Sequence, residues 1–270
     1  MALNTENHGR VFMDQREGIM KVVEKLRRNR FDAFLLDNDK AALDKILAMI
    51  PSDSSVGVAN SVTLIQIGVL EALKQRGNTV VDPISAIYGT VDFDEATFME
   101  TYRKSMGTDV FISGTNAVTA DGKLVNIDGV GNRVAGIIWG SSKSIVVVGR
   151  NKIVDTVEEG IYRIKNIIVP TLAKRRQFPL PCAKIGKCAN CNTIQRPCNI
   201  TVVIEKKPAL TDLSVLVVDE DLGLGWDPSW PKESIDKIRV KYEEFDWPYA
   251  PAYERFKRKL KIRQRTLSEG

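Results

Sequence analysis

Histidine is almost missing from this chain. The single one, His8, stands in a polar leader. That argues against histidine-rich zinc catalysis, and it leaves a Ser-His-Asp or Cys-His arrangement to depend on a residue near one end. Long apolar runs are missing too. None reaches the roughly 18 to 20 residues that a membrane helix needs. The opening MALNTENHGR lacks a basic segment followed by an apolar one, so no secretory leader is expected, and the expected location is the cytoplasm. Internal repeats and low-complexity tracts are absent as well. Of the 270 residues, 43% are apolar and 27% charged, with a net charge of +5. This balance excludes a disordered chain, a collagen and a disulfide-dense mini-protein, and it suits one large domain or two small ones.

What is present is an alternation. Residues 14–30 carry Ile19, Val22, Val23 and Leu26 at helical spacing, and Phe31 to Leu36 then reads as a short strand. A second helix presents Leu43, Ile46, Leu47 and Ile50 and stops at Pro51. SVGVA is a buried strand, NSVT opens a third helix ending at Gly77, and TVVDP is the next strand. A helix over 94–106 leads to the strand TDVFISG. Around Ala120-Asp121-Gly122 the pattern predicts a hairpin. SIVVVGR, a helix over 152–168, and the β-branched ITVVIEK and LSVLVVDE complete the series. Short apolar strands alternating with helices of about a dozen residues predict an α/β fold with parallel βαβ units.

All four cysteines fall in PCAKIGKCANCNTIQRPC as Cys182, Cys188, Cys191 and Cys198, spaced C-x5-C-x2-C-x6-C. Such crowding points to one site. A reducing compartment disfavours stable disulfides. Cys-x-x-Cys lets two thiolates grip one metal centre, and the flanking pair completes a four-sulfur set. The spacing matches neither the bacterial ferredoxin run nor a paired zinc knuckle. Three readings stay open here: a [4Fe–4S] cluster, a structural zinc, and redox-active thiols without metal. Lys174, Arg175, Arg176, Lys184 and Lys187 would help neutralise a thiolate cluster, or simply form a solvated face.

Two segments suit an anion. In GVANSVT, Asn60, Ser61 and Thr63 stand where a strand meets a helix start, and unpaired amides there favour phosphate or carboxylate; plain helix capping explains the same residues. In GTNAVTADGKLVNIDGVGNR, the residues Asn116, Asp128, Asn132 and Arg133 can converge on a polar ligand. Arg133 offers a planar fork, and Asp128 is the candidate general base. Lys143 and Lys152 are further candidate anion partners. The segment is not G-x-G-x-x-G, so no dinucleotide fingerprint is read. From Gly223 the composition shifts to a turn-rich stretch with Trp226, Trp230 and Trp247 and a basic run from Arg255 to Arg265. The expected division is an α/β domain over 8–222, with the cysteine loop at 182–198, and a basic extension over 223–270. Nucleic-acid binding is not expected, because a net charge of +5 is small for that task.

Taken together, NSVT, GTNAVTADGKLVNIDGVGNRVAG, VVVGRNKIV, the cysteine segment and DLGLGWD resemble the LUD domain, the lactate-utilisation family, in its short cysteine-bearing form. The resemblance covers roughly residues 14–226. It implies a Rossmann-like sheet with flanking helices, of the sugar-phosphate isomerase and CoA-transferase-like type. It also implies a part in oxidation of L-lactate or a related hydroxy acid, beside iron–sulfur oxidoreductase subunits. A homo-oligomer is compatible with it. The leading expectation is a protein that binds a small anionic ligand and carries a metal on its four cysteines, an iron–sulfur cluster first and zinc second. An isomerase or transferase acting on a phosphorylated or CoA-linked compound, and a zinc-stapled regulatory module, are the alternatives.

Overall fold

The computed structural model describes residues 15–83, 95–175, 178–193 and 195–223. His8, Arg176 and the basic extension from 224 onward lie outside the described residues. Helix α1 (Gln15–Arg28) buries Ile19, Val22, Val23 and Leu26 on one face, as their spacing requires. Strand β1 (Asp32–Leu36) follows, then α2 (Asp39–Met49), whose first turn is capped by Asn38 Oδ1 accepting the Ala41 N–H at 2.9 Å. After β2 (Ser55–Val58) the expected single helix is two, α3 (Val62–Ile67) and α4 (Val69–Gln75). Gly68 breaks them apart in a left-handed conformation, φ 78°. Strand β3 (Thr79–Val81), helix α5 (Glu95–Met106) and strand β4 (Val110–Gly114) come next.

The remaining strands are β5 (Ala117–Thr119), β6 (Leu124–Asp128), β7 (Lys143–Gly149), β8 (Ile153–Val154), β9 (Ile200–Ile204) and β10 (Asp212–Val218). Six strands form one sheet in the order β1-β10-β7-β4-β2-β3, every neighbouring pair parallel. The fold is therefore α/β, a six-stranded parallel sheet flanked by helices. Its central strands are mostly apolar because both faces are covered. Ile145, Val147, Leu216 and Val218 join α2, α3 and α4 in one core, while Val146, Val148, Val215 and Val217 join α1 in the other.

A smaller sheet, β8-β5-β6-β9, stands beside the first. The Ala120-Asp121-Gly122 hairpin joins β5 to β6 as expected, with Gly122 at φ 82°. The helix expected from residue 152 starts later. Arg150–Lys152 is a tight turn, β8 pairs with β5, and the helix begins at Val157, where Thr156 Oγ1 accepts the Glu159 N–H at 3.1 Å. Lys152 thus lies in the tight turn between β7 and β8 rather than in the helix. A short helix, α6 (Asn132–Ala135), lies in the glycine-rich stretch, and α7 (Val157–Arg163) runs on toward the cysteine segment.

The connections position a crevice. From β2 the chain moves outward to β3 through α3 and α4 on one face of the sheet. From β4 it moves inward to β7 through β5 and β6 on the other face. Neighbouring strands β2 and β4 are therefore left in opposite directions at their carboxyl ends, where open α/β sheets bind ligands.

Candidate functional site

Asn60, Ser61 and Thr63 follow β2 at this crevice. Ser61 is the residue before α3, yet its side chain caps nothing. Simple capping therefore does not explain its hydroxyl, which faces the end of β4; a Cβ added at Gly114 would come within 2.6 Å of Ser61 Oγ. Thr63 is 1% exposed, and its hydroxyl accepts a hydrogen bond from Lys152 Nζ at 2.8 Å. Asn60 is half-buried beside them.

The second group is a closed network. Arg133 Nε donates to Asp128 Oδ1 at 2.8 Å, and a second guanidinium nitrogen donates to the same oxygen. That nitrogen also reaches Asn116 Oδ1 at 2.7 Å and the Ile127 carbonyl at 3.0 Å. Asp128 Oδ2 accepts the Val134 N–H at 3.1 Å, and Asn116 Oδ1 accepts the Ile127 N–H at 3.0 Å. The structure brings Asp128, Asn116 and Arg133 together, and here they bind one another. Proton abstraction by Asp128 would require this ion pair to open. Asn132 opens α6, half-buried, on the same turn.

Lys143 and Lys152 separate. Lys143 starts β7, at the opposite end of the sheet, and pairs with Asp212 at 3.4 Å. Lys152 lies at the crevice, buried, with Arg133 and Arg163 close enough to act on its charge; burial first, then these two cations, lowers its pKa to about 7. Arg163 donates to the Asn116 carbonyl at 2.9 Å. Sequence reasoning missed this arginine, because a basic residue on a helix reads as solvated until its neighbours are known.

The cysteine segment comes back to the glycine-rich turn. Asn199 N–H donates to the Asp128 carbonyl at 2.9 Å, its side chain donates to the Gly129 carbonyl at 3.1 Å, and β9 pairs with β6 from Ile200 opposite Asp128. None of the four cysteines is in a disulfide. Cys182 and Cys198 are buried in a third core with Phe178 and Leu180; Cys188 and Cys191 are half-buried. Burial, and the nearby charges of Cys191, Cys198 and Cys188, raise the Cys182 pKa. The Thr193 hydroxyl, then the Thr193 amide and Arg196, lower that of Cys191. Asn190, left-handed at φ 44°, donates its N–H to Cys188 Sγ at 3.4 Å. Among the described residues no group of three or more Cys, Asp, Glu or His side chains is arranged to hold a metal ion. The chemistry of the donor set suits a thiophilic metal; the sulfur positions in this conformation do not yet enclose one.

The LUD-domain family model matches residues 19–218. The chain belongs to the LUD-domain family. Among solved structures it is similar to a DUF162-family protein from Deinococcus radiodurans, at 12% identity and a TM-score of 0.44, covering 76% of this chain and 99% of that one. No curated protein matches the sequence significantly. No helix among the described residues is long and apolar enough to cross a membrane.

Proposed function

We propose that this LUD-domain chain serves the oxidation of L-lactate or a related hydroxy acid by binding a small carboxylate at the strand-end crevice, with a metal on Cys182, Cys188, Cys191 and Cys198 beside it. The observation that carries the reading is the join between the two candidate centres: Asn199, one residue after Cys198, is hydrogen-bonded to Asp128 and Gly129 of the ligand-side turn. Asn60, Ser61 and Thr63 line the crevice, and Arg133, ion-paired with Asp128 and bonded to Asn116, borders it. An iron–sulfur cluster supplies one-electron transfer when bound, whereas zinc would only tie the segment.

The test is anaerobic purification followed by iron, sulfide and zinc assays and a visible spectrum. Broad absorbance bleached by dithionite is expected. Absence of all three elements from folded protein defeats the metal reading. Lactate and pyruvate should each raise the melting temperature, following mass action at about 2.7 kcal/mol for a hundredfold excess over the dissociation constant. No shift with either would defeat the carboxylate reading.

A further inference from the structure

The crevice contains a buried amine that no acid among the described residues matches. Resting on the carboxylate reading above, we propose that Lys152 is the counter-charge for the ligand's carboxylate, and that the protein takes up a proton as it binds. Lys152 is held by the tight turn after β7 and is 6% exposed. Its Nζ donates to Thr63 Oγ1 at 2.8 Å, and Gly223 closes over it so tightly that a Cβ there would lie 2.5 Å from Nζ.

The charged groups facing it are Arg133, from α6, and Arg163, from α7. Both are cations. The one carboxylate in their network, Asp128, is filled by Arg133 and the Val134 N–H. The acids on the turn after β10, which passes over Lys152, are committed elsewhere: Asp219 and Asp221 pair with Arg150, and Glu220 accepts the Asp39 N–H. Among the described residues no carboxylate forms an ion pair with Lys152. A buried ammonium in that setting is costly unless an anion arrives or the proton leaves. Near neutral pH the second outcome is already half reached, since the amine is lowered to about 7. An entering carboxylate reverses the local field, so the amine regains its proton from solvent as the anion settles.

The sign follows. Below pH 7 the amine is charged before binding, and affinity is at its greatest. Above pH 7 each unit weakens binding about tenfold, until the pKa of the occupied site is reached. Phosphate would answer to the same positive charge, so it is the comparison ligand.

The experiment is calorimetric titration of the full chain with lactate, pyruvate and inorganic phosphate at about pH 6 and about pH 8.5, in two buffers of different ionisation heat. Lactate or pyruvate is expected to bind at least tenfold more weakly at the higher pH, where the buffer dependence of the heat reports proton uptake. Lys152→Met, which removes a buried charge and keeps the length, is expected to fold, to weaken carboxylate binding more than tenfold at the lower pH, and to lose the pH dependence. Carboxylate binding that is equal at both pH values, or unchanged in K152M, overturns the inference and leaves the carboxylate reading intact. Phosphate binding with the pH signature, while lactate and pyruvate do not bind, overturns the carboxylate assignment. No binding of any of the three to folded wild type overturns the carboxylate reading and the inference with it.

Discussion

At Lys152 folding and binding set opposite demands. The lowered pKa, about 7 against an ordinary 10.5, means the charged form is destabilised by the fold. The penalty is fully present below pH 7 and disappears as pH rises toward 10.5, where the unfolded chain also loses its proton. K152M should therefore be more stable than wild type by about 3–5 kcal/mol at pH 6, with the gain shrinking above pH 7. Denaturant midpoints at pH 6 and pH 9.5 check this; identical midpoints at pH 6 would show that the amine is not dehydrated. Asp128 is the opposite case. Asp128→Asn leaves the half-buried Arg133 guanidinium without its charge partner and should cost about 2–3 kcal/mol. If D128N keeps wild-type stability, the ion pair is not what holds the turn. Asp128, Asn116 and Arg133 were legible as a polar group because they crowd one short glycine-rich segment. Lys152 was legible as a candidate anion partner alongside Lys143, but nothing separated the two, since the burial of Lys152 comes from Thr63 and Gly223, which are remote in sequence.

Among the elements, close approach decides the positions of β2 and of the glycine-rich turn. A Cβ at Gly57 would lie 1.8 Å from the Ser105 carbonyl oxygen at the end of α5. Gly57→Ala must push that helix off the sheet, and a loss of about 2–4 kcal/mol in chemical denaturation is expected. The join between the cysteine segment and the turn rests on exposed hydrogen bonds, so Asn199→Ala should cost only about 1 kcal/mol. It should nevertheless raise the reactivity of the Cys198 thiol toward a maleimide, because the side-chain ties to the Gly129 and Arg196 carbonyls are lost while the backbone bond to Asp128 remains; unchanged reactivity would place the restraint elsewhere. Strand and helix types were readable from periodicity. The break at Gly68 and the late start at Val157 were not, because a left-handed glycine and the pairing of β8 with β5 override an otherwise continuous helical pattern.

For the whole molecule, the sheet order sets where protection and function divide. β10 and β7 are buried on both faces and flanked by strands on both sides, so their amides should exchange with solvent last. Edge strand β3 and the cysteine segment should exchange first, a ranking that mass-resolved hydrogen exchange measures directly. Equal protection of β3 and β10 would contradict the strand order. The same order leaves β2 and β4 diverging at one end of the sheet, and it carries Lys143 to the opposite end.

The sequence alone determined the alternation of parallel strands and helices, since a strand covered on both faces must be apolar at nearly every position. It also determined that four thiols share one segment, and the family the chain belongs to. Only the tertiary structure decided that Lys152 meets Thr63, that Asp128 is consumed by Arg133, and that the cysteine segment returns to the glycine-rich turn. Each of these depends on which strand lies beside which. Strand order is set by packing among residues far apart in the chain, and local periodicity carries no record of it.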